Sequence, residues 1–167
     1  MEGNYCESRA KKKATAKDML IKVAFGIAIA FGILLALFTG QSFLFIISVI
    51  FGVAAYFVIP MLKVEYEYVY CDGQLDFDKI MNGEKRKHLD RVDLDQAVVI
   101  APKNSHALDG YRHDRVKVYD YSSLDEHARI YGIVITAGEQ SSLYWFEPDE
   151  VMIQKMKQKA PRKVVEY

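Results

Sequence analysis

The sequence predicts two parts of different fold class: an α-helical transmembrane hairpin, followed by a mainly-β domain that ends in an α-helix. Three observations support this division. Two apolar runs, Met19–Phe38 and Phe43–Leu62, are separated by only four residues. Alternating, strand-like segments interrupted by turn signals occupy residues 64–146, and an amphipathic helical pattern follows them. We therefore assign residues 1–18 to a basic N-terminal segment, 19–62 to the hairpin and 63–167 to the second domain.

The two apolar runs have the length and composition of membrane-spanning helices. Each contains about 20 residues, which at about 1.5 Å per residue span the ~30 Å hydrocarbon core of a bilayer. No Asp, Glu, Lys, Arg or His occurs in residues 23–62, and neither run has the polar stripe of a soluble surface helix. A signal peptide would have a shorter apolar region, of about 7–15 residues. We therefore expect two membrane crossings.

Positive charges flank the outer ends of the hairpin and are absent from its turn. Thr39–Ser42 carries no charge, whereas the segments around the outer ends contain Arg9, Lys11, Lys12, Lys13, Lys17, Lys22 and Lys63. The positive-inside rule then places both termini in the cytoplasm and the protein in the inner (cytoplasmic) cell membrane.

Small residues recur along the predicted helices at a spacing that puts them on one face. The positions concerned are Ala24, Ala28, Gly32 and Ala36 in the first run, and Ser48 and Gly52 in the second. Such a stripe allows close helix packing, either between the two helices of one chain or between copies of the chain. The short connector favours packing within the chain, and both uses can coexist on different helix faces.

A pore or transporter built on the hairpin is an alternative interpretation. Such proteins normally carry ionisable or amide side chains inside the membrane, or broken helices. Ser48 and Tyr56 are the clearly polar side chains well inside the runs, which makes transport the weaker hypothesis.

Residues 63–167 show the pattern of an antiparallel sheet protein. Asp72-Gly73 and Asn82-Gly83 are strong hairpin-turn signals, because these residues tolerate positive φ. The pattern predicts strands over 64–70, 74–80, 85–92, 96–101, 115–121, 129–136 and 142–146. It also predicts an irregular segment over 102–114 and a helix that starts near Pro148 and stops before Pro161.

This order of elements resembles a pleckstrin-homology (PH) domain. The chain is similar, over about residues 19–167, to small bacterial two-helix membrane proteins with a PH-like cytoplasmic domain. The resemblance rests on element order and on stretches such as Tyr66-Glu67-Tyr68, Asp72–Asp76 and Val118–Ser122. It implies about seven antiparallel strands in an open barrel with a C-terminal helix, and it implies no particular activity.

Basic residues are the candidate contacts with the membrane surface. The lipid-binding positions of PH domains cannot be transferred, because the corresponding turn here is the acidic Cys71-Asp72-Gly73. The candidates are Lys11, Lys12, Lys13, Lys17, Lys22, Lys63, Lys85, Arg86 and Lys87. The cluster around Arg86 is more readily interpreted as a solvated strand edge balanced by Glu84 and Asp90.

The sequence contains no recognisable catalytic, metal or cofactor motif. The histidines have no short ligand spacing, the two cysteines form no CxxC pair, and phosphate loops and nucleophile elbows are absent. Residues 63–167 carry 16 basic and 19 acidic residues, which disfavours nucleic acid as a partner. An enzyme that uses the 102–114 segment, with His106, Asp109 and His113, is the least favoured alternative.

The sequence thus predicts a non-enzymatic integral membrane protein without a cofactor. We expect its PH-like domain to bind a protein partner or to help assemble an envelope complex at the inner leaflet, with self-association as a further option.

Overall fold

The computed structural model describes residues 5–113, 116–138 and 140–165. The chain forms two compact units. A helical unit contains Lys13–Val64 together with Met81–Glu84, and a β-rich unit contains the residues up to Lys12, Glu65–Ile80, and those from Lys85 onward.

The helical unit consists of α1, Ala16–Thr39, and α2, Ser42–Met61. Helix α1 begins three residues before the predicted run because Thr15 and Asp18 form a capping box, in which the Thr15 hydroxyl accepts a hydrogen bond from the Asp18 amide. It ends at Gly40, whose φ of 68° suits a glycine. Both helices are long and apolar enough to cross a membrane. In the most apolar stretch of each helix, only 0% and 11% of the residues are buried, unlike the core helix of a soluble protein.

The two helices lie in close contact where Gly32 faces Ser48. Ser48 is buried, and its hydroxyl donates to the carbonyl of Leu44 at 3.1 Å. A Cβ atom at Gly32 would overlap this hydroxyl, whereas one at Gly26 or Gly52 would meet no atom within 4 Å. Packing within the chain therefore uses Gly32, and Gly52 lies beside an open groove.

The first sheet of the β-rich unit has the order β1-β2-β3-β4, with strands Tyr5–Lys11, Val64–Cys71, Gln74–Met81 and Lys85–Asp93. Strand β1 pairs antiparallel with β2 over seven residues, from Tyr5 opposite Cys71 to Lys11 opposite Glu65. Strand β1 was not predicted, because its buried apolar residues are only the small Cys6 and Ala10. As a result, β1 and β2 are neighbours in the sheet, although the helical hairpin separates them in the sequence.

The second sheet has the order β5-β7-β8-β6, with strands Ala97–Pro102, Lys117–Asp120, Tyr131–Ala137 and Gln140–Phe146 for β5 to β8. Strand β6 runs parallel to β8, which corrects the expectation that all strands are antiparallel. The segment between β6 and β7 carries the chain past β8, so β6 pairs with the far edge of β8. The described part of the chain therefore has eight strands, one more than predicted.

Short elements complete the β-rich unit. A 3₁₀ helix, His106–Tyr111, lies within the segment that was expected to be irregular. Helix α3, Glu150–Lys159, begins after Asp149, whose carboxylate accepts a hydrogen bond from the Met152 amide at 2.7 Å. After α3 the chain returns to β5, where Ile100 pairs with Val164.

An aromatic core lies between the two sheets. The Phe77 ring contacts Tyr68, Tyr144 and Phe146, with centroids 5.7–5.8 Å apart. Burial raises the pKa of Tyr68, so its hydroxyl stays protonated and donates to the carbonyl of Tyr121 at 2.5 Å. Met152 of α3 is fully buried as well, so the helix shares in the hydrophobic core.

A glycine pair in α1 tests the helix contact. We expect Gly32→Ala to lower the free energy of unfolding of the hairpin by about 1 kcal/mol, because the new methyl group displaces the Ser48 hydroxyl. Gly26→Ala is the control, since it makes the same change in helix propensity without a neighbour. Adding Ser48→Ala to Gly32→Ala should restore stability. SDS-induced unfolding measures all three variants, and equal effects at the two glycines would contradict the contact.

Candidate functional site

A charged cluster on the first sheet joins all four of its strands. It consists of Arg9 on β1, Glu67 on β2, Asp78 on β3, and Arg86 and His88 on β4, and we call it the Glu67 clamp. Nη2 of Arg9 lies 2.6 Å from Oε1 of Glu67, and the Arg86 guanidinium contacts Oε2. The second carboxylate is held in a similar way: Oδ1 of Asp78 lies 2.9 Å from Nδ1 of His88, and Oδ2 lies 3.7 Å from Nε of Arg86.

The clamp follows from the strand register. Arg9 lies directly opposite Glu67 in the β1–β2 ladder, and alternation along β2 turns Glu67 away from the core tyrosines Tyr66 and Tyr68. The Glu67 side chain is nevertheless 0% exposed, while those of Arg9 and Arg86 are 57% and 53% exposed. The two guanidinium groups therefore separate the carboxylate from water. The guanidinium groups contact Glu67 as ion pairs, because the angles of these contacts are not those of hydrogen bonds.

This arrangement suits attachment and is unsuited to catalysis. A carboxylate whose two oxygens both contact guanidinium groups has no open side for a substrate, so it is a poor general acid or base. Among the described residues, no group of three or more His, Cys, Asp or Glu is placed to hold a metal ion. The clamp instead fastens the strand that precedes the hairpin to strands that follow it.

A second polar contact links β4 to the end of β6. The Tyr121 hydroxyl donates to Oδ2 of Asp90 at 2.6 Å. Burial and this bond to Asp90 raise the pKa of Tyr121, so the hydroxyl remains a donor at neutral pH. Nearby, the Tyr119 ring stacks on Tyr144 at 4.8 Å and carries the Lys117 ammonium group at 5.3 Å from its centroid. The Tyr121–Asp90 bond thus joins the edge strands of the two sheets, whereas the Tyr119 contacts lie within the second sheet.

The cavity beside the described part of the segment 102–114 is lined by Lys103 and Asn104, and by none of the predicted site residues His106, Asp109 and His113. His106 pairs with Asp109 at 3.0 Å, but the His106 side chain is completely exposed. Leu108 of this segment is fully buried and packs in the core of the second sheet. His113 is exposed, and Asp114 lies outside the described residues.

A cavity of about 260 Å³ lies at the start of α3. Arg129, Tyr131 and Ile153 line it, and Arg129 forms a 2.8 Å ion pair with Glu150 at the same place. Asp149 also lines the cavity, and its carboxylate accepts the hydrogen bond from the Met152 amide, so the charged groups there have partners within the protein.

The predicted membrane-surface residues have different environments. Lys11 lies 3.7 Å from Glu65, and the Arg86 guanidinium belongs to the clamp. The others are exposed or half-buried: Lys12, Lys13, Lys17, Lys22, Lys63, Lys85 and Lys87. Of the predicted helix-packing residues, Gly32 and Ser48 meet, Ala24 and Ala28 border a shallow pocket with Phe51, and Ala36 accepts the hydrogen bond that ends α1.

The sequence did not predict that Arg9, Glu67 and Asp78 belong to one charged cluster. A signal for it exists in cross-strand charge complementarity, because Arg9 and Lys11 alternate in one segment and Glu67 and Glu65 alternate in the other. The helices between these segments hid their proximity.

The clamp predicts a specific pattern of mutant stabilities. We expect Arg9→Met to lower the free energy of unfolding by about 1–3 kcal/mol, because buried Glu67 loses one of its two cations. Arg9→Met with Glu67→Met should recover most of this loss, since no buried charge remains unpaired. Denaturant unfolding followed by the fluorescence of Trp145 gives the measurement.

The control for this series is Arg91→Met, which breaks a more exposed ion pair with Asp76. It should cost clearly less than Arg9→Met, because solvent screens an exposed ion pair. A double variant at positions 9 and 67 that is no more stable than Arg9→Met would show that the clamp is not the reason for the loss.

Comparison with known proteins assigns the family. The model of the family described as Bacterial PH-like domain (DUF6106) matches residues 2–166, a range that includes β1 and the helices as well as the later strands. No curated protein and no solved structure matches the chain. The family match confirms the PH-like resemblance and fold class, and the chain belongs to the bacterial PH-like domain family DUF6106.

Proposed function

We propose that this protein is a non-catalytic integral membrane protein that presents its PH-like domain at the inner face of the cytoplasmic membrane to a protein partner. The pairing of β1 with β2 is the observation that carries this proposal. One strand precedes the two apolar helices and the other follows them, and the two pair over seven residues.

The pairing favours a membrane hairpin with both ends on one side. Strands of one sheet must share a compartment, and two crossings return the chain to the compartment where it started. Cleavage of α1 as a signal sequence would remove β1 and leave Glu67 with Arg86 alone. The basic residues at the outer ends of the hairpin, such as Lys17 and Lys22, then favour the cytoplasm as the shared compartment.

Short connections support a presenting role for the hairpin. Four residues, 12–15, join β1 to α1, and two, 62–63, join α2 to β2. At about 3.5 Å per residue, the second connection spans at most about 7 Å. The domain therefore has a restricted reach from the bilayer, as expected of a module that meets its partner at the membrane surface.

The β-rich unit offers a strand edge for such a partner. Strand β6 is the last strand of its sheet and, among the described residues, pairs with β8 alone, and Val118 on this strand is 52% exposed. An unpaired strand edge can bind an extended segment of another protein through backbone hydrogen bonds. Binding at this edge requires no catalytic group. This agrees with the Glu67 clamp, whose carboxylate is covered by two guanidinium groups, and with His106, whose side chain is exposed.

Cysteine labelling tests the topology. Cys71 is exposed and Cys6 is buried, so Cys71 is a natural reporter of the domain. We expect a membrane-impermeant maleimide to label Cys71 only after intact cells are permeabilised. Gln41→Cys in a Cys71→Ser background places the reporter in the turn between the helices and should be labelled in intact cells. Labelling of Cys71 in intact cells would overturn the proposed orientation.

Site-specific photo-crosslinking tests the partner interaction. We expect a cross-linker at position 118 to give a discrete protein adduct in native membranes. Position 151 on α3 is the matched control, because Val151 is also 52% exposed but is not on a strand edge. Equal adducts at both positions, or none at position 118, would contradict binding at β6.

A further inference from the structure

The turn between β3 and β4 lies against the end of the helical hairpin. Residues Met81–Glu84 belong to the same compact unit as the two helices. The Asn82 amide donates to the carbonyl of Lys63 at 3.0 Å. The reason is local: β2 starts directly after Lys63, and β3 runs back along β2, so the end of β3 returns to the start of β2.

Three exposed lysines lie at this end of the helical unit. Lys17 and Lys22 are in the first two turns of α1, and Lys63 follows α2. Because the helices are joined at Gly40 and Gln41, the start of α1 and the end of α2 lie at the same end of the hairpin. None of the three lysines forms a salt bridge within the described part of the chain. Their charges remain available to a ligand outside the protein.

We propose that this end of the helical unit is a contact site for an anionic lipid surface. The Asn82-Gly83 turn lies at the level of the lipid headgroups, and Lys17, Lys22 and Lys63 bind them. The site deepens the proposed function and rests on it, because the apolar helices must cross the bilayer for their basic end to reach the headgroups.

The geometry of the turn suits this position. Asn82 and Gly83 have φ values of 55° and 72°, which form a tight turn between β3 and β4. The backbone amide of Asn82 donates its hydrogen bond to the carbonyl of Lys63. The turn is thereby held beside a basic residue that follows the last helical turn. Each lysine held near an anionic leaflet strengthens the attraction about fivefold, so three lysines give a strong preference for anionic over neutral lipid.

Depth measurements with spin labels test the site in reconstituted full-length protein. Two single labels are placed in a Cys71→Ser background, one at Glu84→Cys in the turn and one at Ile27→Cys near the middle of α1. We expect the label at position 84 at headgroup depth and the label at position 27 deep in the acyl region. A deep label at 27 with a fully aqueous label at 84 overturns this inference alone. An aqueous label at 27 overturns the membrane hairpin and with it the proposed function.

Charge variants test the lipid preference in nanodiscs that mix phosphatidylglycerol and phosphatidylcholine. We expect Lys17→Gln, Lys22→Gln and Lys63→Gln together to reduce the enrichment of phosphatidylglycerol around the protein by about tenfold or more. The control removes three exposed cations of the β-rich unit, Lys103, Lys159 and Arg162, and should change the enrichment by less than about twofold. Equal losses in both sets would show non-specific attraction and overturn the site.

Discussion

The pairing of β1 with β2 is the constraint on which the rest of the structure depends. A sheet that recruits its first strand from one side of a helical hairpin and its second from the other side ties both outer ends of the hairpin together. The consequences reach in two directions. The helices must be antiparallel and of similar length, and the domain cannot be completed by the residues after the hairpin alone. The family match from residue 2 to residue 166 includes the strands on both sides of the hairpin.

The energetic side of this constraint is unusual, because β1 has little apolar surface to bury. Cys6 and Ala10 are its buried apolar residues, and at about 25 cal/mol per Å² such small side chains contribute little. The ladder hydrogen bonds and the ion pairs to Arg9 and Lys11 must supply much of the attachment. Ser8 adds a hydrogen bond from its hydroxyl to the carbonyl of Glu147 at 3.2 Å, and the Lys155 ammonium donates to the carbonyl of Tyr5 at 2.8 Å.

Local patterns predicted most of the fold, and non-local pairings account for what was missed. The Asp72-Gly73 and Asn82-Gly83 signals are both turns, and all four residues have the positive φ that such turns require. Strands β2 to β8 and helix α3 were likewise readable from alternation and caps. Strand β1 was not, because its partner lies more than fifty residues away. The parallel direction of β6 was not predictable either, since it depends on the path of the segment after Tyr121. The clamp was hidden for the same reason, and Arg86 read as one of several surface cations until β1 and β2 were placed together.

A buried carboxylate is a weak source of stability but an effective selector of register. We interpret Glu67 in this sense. A slip of β1 by one residue would place Ser8 or Ala10 opposite Glu67 and turn the small core residues of β1 to the other face of the sheet. The carboxylate would then be left buried with a single cation. An apolar residue at position 67 would tolerate such a slip, because it asks for no particular partner. With so little apolar contrast in β1, the charge pair is what distinguishes the correct pairing from its neighbours, and correct pairing is what fixes the ends of the hairpin to the domain.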